Sequence, residues 1–282
     1  MRSLRLILLF GCLMLLVPLY AMAQTQPGQP LPAGTPDPQE RTTKTEPTKK
    51  IDPETVVELG ASYEFVDQDN PDWQTYYSSI NHKFSTGQVL YGTASAVRRF
   101  ETTDANFMIG FVQPLTESKR WIATVEASGS PNHQILPTAS FFGQVERIFG
   151  KGWIGRAGLR HSRYPADIVN MGIFGAERYF KAYRGAYTLY VAHLNGKGTA
   201  VSHAFQGNYY YGERNSVGAG FAFGQEIESV PGGLIKTDVL DFSFTGRHWM
   251  TKKWGLSYVA VWHRQGNLYT RGGAQIGLLF RF

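Results

Sequence analysis

The feature that most constrains this chain is a two-residue alternation of apolar and polar side chains, which starts at Glu54 and continues to the last residue. Near the start, the apolar positions are Val57, Leu59, Ala61, Tyr63 and Phe65. Near the end, they are Ala274, Ile276, Leu278, Phe280 and Phe282. Successive side chains of a β-strand point to opposite faces, so this pattern predicts strands with one apolar face.

Turn signals divide the region after Glu54 into about fourteen strand candidates of roughly 10 to 15 residues. They begin near residues 54, 73, 88, 104, 119, 136, 152, 167, 183, 198, 215, 235, 253 and 268. Merging two weak candidates would give twelve. An even number suits a single-chain barrel with both ends in the periplasm. The longer connections, at Asp67–Asp72, Gly129–Ile135 and Glu228–Leu234, all fall at odd-numbered positions, where external loops are expected.

Composition favours a membrane barrel over a soluble β-sandwich, the alternative with the same alternation. Aromatic residues make up 14% of the chain, and there are 31 glycines. The strand candidates are also longer than usual, and the chain ends on an aromatic residue. We therefore predict an all-β fold, a transmembrane antiparallel up-and-down β-barrel. No apolar stretch after the N-terminal segment is long enough for a membrane-spanning helix.

The N-terminal segment has the layout of a secretory signal peptide over residues 1–23. Arg2 and Arg5 precede an apolar run from Leu6 to Tyr20, and small residues precede Gln24. This predicts Sec-type export with cleavage near Ala23/Gln24. The alternative, lipidation at Cys12, would leave almost no apolar segment ahead of the cysteine. After cleavage the chain has no cysteine, so disulfides and thiolate metal sites are not expected.

Residues 24–53 are rich in Pro, Thr, Gln, Lys and Glu, and they predict a disordered lead-in to the barrel, residues 54–282. Docking of this segment on a partner as an extended peptide is the alternative. The formal charge of the whole chain is +6. Lys and Arg are interleaved with Asp and Glu, which argues against nucleic-acid binding.

Several stretches resemble the YaiO-type outer-membrane β-barrel family. They are Glu58–Phe65, Arg99–Phe100, Tyr209–Gly212 with Arg214–Asn215, Arg247–Trp249 with Trp254–Leu256, and Arg264–Gly266 with Tyr269 and Arg271. The resemblance implies an outer-membrane location in a Gram-negative envelope. It brings no catalytic residues, because members of the family share no established reaction. Some relatives carry helical repeats ahead of the barrel, where this chain has only the short lead-in.

If the apolar face meets lipid, charged residues on the other face line the lumen, since an Arg or Lys facing lipid at midplane would cost about 2–4 kcal/mol. The lumen candidates are Arg99, Glu126, Glu146, Arg156, Arg160, Glu226, Arg247 and Arg271, with Glu58, Glu64, His263 and Arg281 on the same face. They predict either a selectivity surface for a polar or anionic solute, or pairs that neutralise one another in a narrow interior. Bulky inward candidates that could narrow the lumen are Tyr91, Phe142 and Tyr210.

The sequence favours a passive conduit or export accessory for a polar solute or saccharide. A closed barrel that presents surface loops is the second hypothesis, and an envelope lipid hydrolase is the third. Neither Ser202–His203 nor Ser162–His161 can form a catalytic pair within one strand, because adjacent side chains point to opposite faces. The scattered histidines predict no metal site, and no cofactor is expected.

The expected partners are outer-membrane lipid, lipopolysaccharide and the outer-membrane insertion machinery. Phe280 and Phe282 form the candidate assembly signal, because the aromatic end of the chain resembles the signal that this machinery reads.

Overall fold

A computed structural model of the protein describes residues 52–282; the predicted signal peptide and nearly all of the predicted lead-in lie outside the described residues. The described part contains fourteen strands. They are β1 Glu54–Val66, β2 Trp73–Lys83, β3 Val89–Arg99, β4 Thr102–Pro114, β5 Trp121–Gly129, β6 Ala139–Gly150, β7 Trp153–Arg163, β8 Ile168–Phe180, β9 Tyr183–Leu194, β10 Gly198–Tyr211, β11 Asn215–Val230, β12 Gly233–Trp249, β13 Trp254–Gln265 and β14 Tyr269–Arg281. Within residues 52–282, no helix is long and apolar enough to cross a membrane.

The strands close into one barrel. Each strand pairs antiparallel with its neighbours in the chain, and β14 pairs with β1. The closing pair keeps one register from Val56↔Arg281 to Val66↔Arg271. The predicted antiparallel barrel of fourteen strands is therefore confirmed, and the alternative count of twelve is wrong. Closure leaves no free sheet edge, as a sheet in a membrane requires.

The alternation of the sequence becomes an outer and an inner face. Leu59, Ile109 and Ile276 lie on the outer face, and the last of these is 59% exposed. Inward positions of the same strands include the buried Glu58 and Asn106. An apolar exterior and a polar interior are what a lipid environment selects for strands of this period.

The two rims of the barrel differ in what they carry. The terminal rim holds both ends of the barrel chain and the connections at residues 84–88, 115–120, 151–152, 181–182, 212–214 and 250–253. The distal rim holds the connections at residues 67–72, 100–101, 130–138, 164–167, 195–197, 231–232 and 266–268. The longest connection, 130–138, is at the distal rim, but the terminal rim also has a connection of moderate length at 115–120.

One predicted loop is wrong. Instead of a loop from Glu228 to Leu234, β11 runs to Val230 and β12 begins at Gly233, so that only Pro231 and Gly232 form the turn. The two strands pair through this segment, for example Ile227 with Lys236. Ladder pairing and burial of Ile227 and Leu234 extend the hairpin beyond the point where the sequence pattern weakens.

Candidate functional site

All eight predicted lumen residues lie on the inward face of the barrel. Their positions follow from the register, which pairs each of them with another inward position on the next strand. The pairs include Glu146↔Arg156, Phe142↔Arg160, Gly110↔Glu126, Arg99↔Thr102, His263↔Arg271, Glu226↔Thr237 and Arg247↔Ser257. The alternation of the sequence alone assigns these side chains to the inward face, because no extra residue interrupts the alternation between these positions.

Glu126 and Arg160 form the centre of one inner cluster. Arg160 Nη2 donates to Glu126 Oε2 at 2.8 Å, and Tyr91 Oη donates to Glu126 Oε1 at 2.7 Å. The Arg160 guanidinium also lies over the Phe142 ring, 4.9 Å from its centroid. Both charged side chains are 12% exposed, so solvent reaches the pair from the lumen. The pair joins β7 to β5 along the wall and does not cross the interior.

Arg156 lies four residues before Arg160 on the same strand, towards the terminal rim, with Gly158 as the inward position between them. Its Nη2 donates to Thr188 Oγ1 at 2.6 Å, and no carboxylate among the described residues forms an ion pair with it. Gly175 makes room for the guanidinium, because a Cβ built there would overlap the Arg156 side chain. Its register partner Glu146 is buried and accepts from Gln144 Nε2 at 3.0 Å. Arg156 therefore presents a positive charge that is not neutralised by a direct contact.

Arg99 and Arg271 belong to a second cluster, near the distal rim. Their guanidinium carbons lie 4.3 Å and 4.9 Å from the centroid of the Trp73 ring. Tyr269 packs edge-on against Trp73, with centroids 5.2 Å apart. Arg271 also forms an ion pair with Glu64 of β1. Trp73, Tyr269 and Arg271 are almost fully buried, so this cluster supports the wall and is not open to a solute.

The remaining predicted residues lie at opposite ends of the barrel. Glu226 is at the distal end of β11, close to Glu228, Asp241 and Arg271. Arg247 is half-buried near the terminal rim and forms no ion pair with another described residue. The eight predicted residues thus do not form one site but line the wall at several heights.

Sequence reasoning missed a buried network around Arg184. Its Nε donates to Glu177 Oε2 at 2.6 Å, and its Nη1 donates to Gln206 Oε1 at 2.8 Å and Asn208 Oδ1 at 3.0 Å. The guanidinium also faces the Tyr179 ring at 5.9 Å. Continuing the alternation through Tyr183 would have assigned Arg184 to the interior. Its partners on β8 and β10 could not be identified without the register.

The 130–138 loop folds against the barrel and is held by Asp104. The carboxylate of Asp104, 0% exposed, accepts from the backbone amides of Gln134, Ile135 and Leu136 at 2.9, 2.6 and 2.7 Å. Leu136 packs against Ala96 and Val97 of β3. A carboxylate with three backbone donors is a strong anchor, because each bond is charge-assisted.

The β11–β12 hairpin reaches this loop from the other side of the distal mouth. Ser229 Oγ donates to the carbonyl oxygen of Ile135 at 2.7 Å. Ile227 and Leu234 pack with inward residues of β8 to β10, including Val169 and Leu194. Loop and hairpin belong to elements five strands apart, so their contact narrows the distal mouth.

The Ser–His pairs considered for hydrolysis are separated as expected. His161 faces outward and hydrogen-bonds Asn170 at 2.7 Å, whereas Ser162 faces inward and lies 2.9 Å from the Ser140 hydroxyl. His203 faces outward, 2.8 Å from Tyr187 Oη, whereas Ser202 faces inward. Within the described part of the chain, no group of three or more His, Cys, Asp or Glu residues is arranged to hold a metal ion.

Phe280 and Phe282 lie on the outer face at the terminal rim. The Phe280 ring packs against Trp254 at 4.6 Å and against Phe282 at 4.8 Å. The backbone amide of Phe282, whose side chain is 72% exposed, donates to the carbonyl oxygen of Thr55 at 3.0 Å. The last residue is therefore part of the seam that closes the barrel.

Comparison with solved structures gives low sequence identity over nearly complete barrels. The outer membrane protein Omp33 of Acinetobacter baumannii is 9% identical with a TM-score of 0.50, covering 81% of this chain and 99% of its own. The KdgM porin (TM-score 0.46) and the anion-selective porin of Comamonas acidovorans (0.46) are each 8% identical; the matches cover 80% and 82% of this chain and 99% of each porin. At identities this low, the comparison bears on the fold alone.

Among curated proteins, no sequence matches this one. The family described as "YaiO membrane beta barrel domain" matches residues 54–228, more than half of the chain. The match ends inside β11, and the remaining strands complete the same barrel. With its closed barrel, apolar exterior and charged interior, the chain is an outer-membrane β-barrel that belongs to the YaiO family.

Proposed function

We propose that the barrel is a conduit or export accessory for a polar solute, with a preference for anions or acidic saccharides. The observation that carries this proposal is the arrangement of charge on the inner wall. Apart from Arg214 and Glu54 at the terminal rim, its ion pairs between strands join neighbouring strands or, as Arg160 does with Glu126, strands separated by one other strand. Charges held along the wall leave the centre of the lumen to water and solute, as in barrels with polar interiors.

Arg156 supports the preference for anions. It lies on the inward face of β7, four residues from Arg160, and it donates a hydrogen bond to a neutral hydroxyl, that of Thr188. A guanidinium is always charged and presents a fork of donors that suits carboxylate or phosphate. A solute passing this level of the barrel would meet a guanidinium that forms no direct ion pair with a carboxylate of the described residues.

The test is single-channel conductance of the purified, folded protein in a planar bilayer under a salt gradient. Wild-type protein should give discrete steps with a reversal potential that indicates anion preference. Replacing Arg156 and Arg160 together with Ala should move the permeability ratio towards cations, since the change also leaves Glu126 unpaired. Arg163→Ala is the matched control, because Arg163 lies on the same strand but faces outward and should leave selectivity unchanged.

A closed barrel is the second candidate, and it is favoured by the contact between Ser229 and Ile135 across the distal mouth. A barrel closed in this way would insert into the bilayer without conducting. The same recording separates the two functions: insertion with no steps over a full voltage range would reject the conduit. Conductance with unchanged selectivity in the double variant would reject the arginine-based preference alone.

A further inference from the structure

The turns of the two rims carry opposite charge. Those of the terminal rim hold seven cations and two acids: Lys119, Arg120, Lys151, Lys181, Arg214, Lys252, Lys253, Glu117 and Glu213. Those of the distal rim hold five acids and one cation: Asp67, Asp69, Asp72, Glu101, Asp167 and Lys197. Although the formal charge of the chain is modest, positive and negative charges are therefore strongly separated along the barrel axis.

Part of the positive charge of the terminal rim lies along the outer face of four successive strands and in the turns between them. Trp121 of β5, Arg147 of β6, Trp153 of β7 and Arg178 of β8 alternate aromatic and cationic side chains around the barrel. Trp121 pairs with Arg147, and Trp153 pairs with Arg178. We call this arc, together with Phe149 and the turn residues Arg120, Lys151 and Lys181, the basic collar.

Contacts within the basic collar fix the two arginines at the membrane edge. The Arg147 guanidinium lies 5.0 Å from the centroid of Trp121 and 5.1 Å from that of Phe149. Arg178 lies 5.2 Å from the centroid of Trp153. Cation–π contact with these rings holds each guanidinium near the barrel surface while its donors stay available. Both arginines are exposed, and no carboxylate among the described residues forms an ion pair with either.

Acidic groups near the collar do not cancel its charge. Glu146 and Glu177 are next to Arg147 and Arg178 in sequence, but they are buried and point inward. Glu117 is the one acid in the three turns of this arc. An exposed group of cations beside interfacial tryptophans complements a phosphate that sits at the boundary between headgroup and acyl chain.

We propose that the basic collar binds the phosphate of anionic phospholipids in the leaflet that surrounds the terminal rim. An even number of strands puts both ends of the barrel at this rim, which in outer-membrane barrels is the periplasmic side. Arg147 and Arg178 contact the headgroup, Trp121 and Trp153 border the upper acyl chain, and the turn cations add long-range attraction. The proposal does not depend on whether the lumen conducts.

The experiment is native mass spectrometry of the folded full barrel titrated with dioleoyl-phosphatidylglycerol or dioleoyl-phosphatidylethanolamine, which share acyl chains. Wild-type protein should prefer the anionic lipid. Each of Arg147→Gln and Arg178→Gln should reduce that preference about fivefold, the equivalent of ~1 kcal/mol per cation near a charged surface. Arg163→Gln and Arg98→Gln, which remove exposed outward cations at the distal rim, serve as matched controls.

Three results would overturn the proposal: no lipid preference in the wild type, an equal loss in the distal-rim controls, or full competition by inorganic phosphate at low millimolar concentration, which would indicate a site for free anions. The charge-preserving pair Arg147→Lys and Arg178→Lys should keep most of the preference. Heat modifiability shows whether the Gln variants fold. If they do not, the lysine pair combined with Trp121→Leu tests the same arc. An undiminished preference of this variant for the anionic lipid would reject the role of the aromatic border.

Discussion

Single glycines decide how tightly the inner wall can pack. Tyr91 leans across the strand onto Gly110, its register partner, and Tyr77 does the same over Gly60. A Cβ built on either glycine would overlap the tyrosine ring. In the first case the ring is placed so that its hydroxyl reaches Glu126. The absence of a side chain at Gly110 is therefore part of how the Glu126–Arg160 pair is positioned.

We predict that Gly110→Val destabilises the barrel by about 1–3 kcal/mol, the usual range for inserting side-chain atoms into a packed interior. Tyr91 would have to swing away and lose its bond to Glu126. Gly143→Val is the control, since a Cβ at Gly143 meets nothing within 4 Å and the site faces outward. Urea unfolding of the two variants in lipid vesicles measures the difference, and equal stability of both would contradict the packing argument.

Residue faces could be predicted from the sequence, but residue partners could not. The alternation assigned Arg156, Arg160 and Glu126 to the interior, and the structure places them there. Glu126 and Arg160 are 34 residues apart, however, and their contact depends on the relative registers of β5, β6 and β7. Nothing local in the sequence encodes these offsets. For the same reason the sequence did not predict the role of Asp104. Its carboxylate oxygens accept hydrogen bonds from a loop that lies 30 residues later in the chain.

At the scale of elements, strand starts agree with the structure within three residues, because turn residues mark them clearly. The disagreement over Glu228–Leu234 has a physical cause. The register places Ile227 among the outward positions of β11, yet its side chain is buried, because the hairpin bends over the distal mouth of the barrel. The simple alternation of outward and inward side chains therefore fails there. The Pro231–Gly232 dipeptide was the local signal for a tight turn.

Phe282 directly follows β14 and bonds to β1 at the seam that closes the barrel. Deleting Phe282 should sharply reduce the amount of barrel that assembles, because it removes the terminal aromatic and its backbone bond to Thr55 at the seam. Phe282→Trp, which keeps both features, should assemble normally. Phe65→Ala removes a similarly exposed outward aromatic from β1 and is the matched control. Assembly is measured as the heat-modifiable band in the outer-membrane fraction; wild-type levels of the deletion variant would reject Phe282 as an assembly signal.

For the whole molecule, the structure combines a charged wall with a narrowed distal mouth. The 130–138 loop is tied to β4 through Asp104, and the β11–β12 hairpin is tied to the inner wall through Ile227 and Leu234. The hydrogen bond that joins them, from Ser229 Oγ to the carbonyl oxygen of Ile135, is between neutral groups and contributes only about 0.5–1.5 kcal/mol. Because each element is held to the barrel by its own contacts, the two can separate at this bond without unfolding either of them.

We therefore predict that the mouth opens and closes at this contact, and that fixing it reduces conductance. Ser229→Cys together with Ile135→Cys gives a thiol pair in a barrel whose described residues have no other cysteine. A short bismaleimide should cross-link the pair and lower single-channel conductance. Each single-cysteine variant treated with the same reagent is the control, and it should keep its conductance because nothing joins the loop to the hairpin. If the cross-linked barrel conducts as well as the controls, solute does not pass between these two elements, and the constriction must be sought deeper, at the level of Arg156 and Arg160.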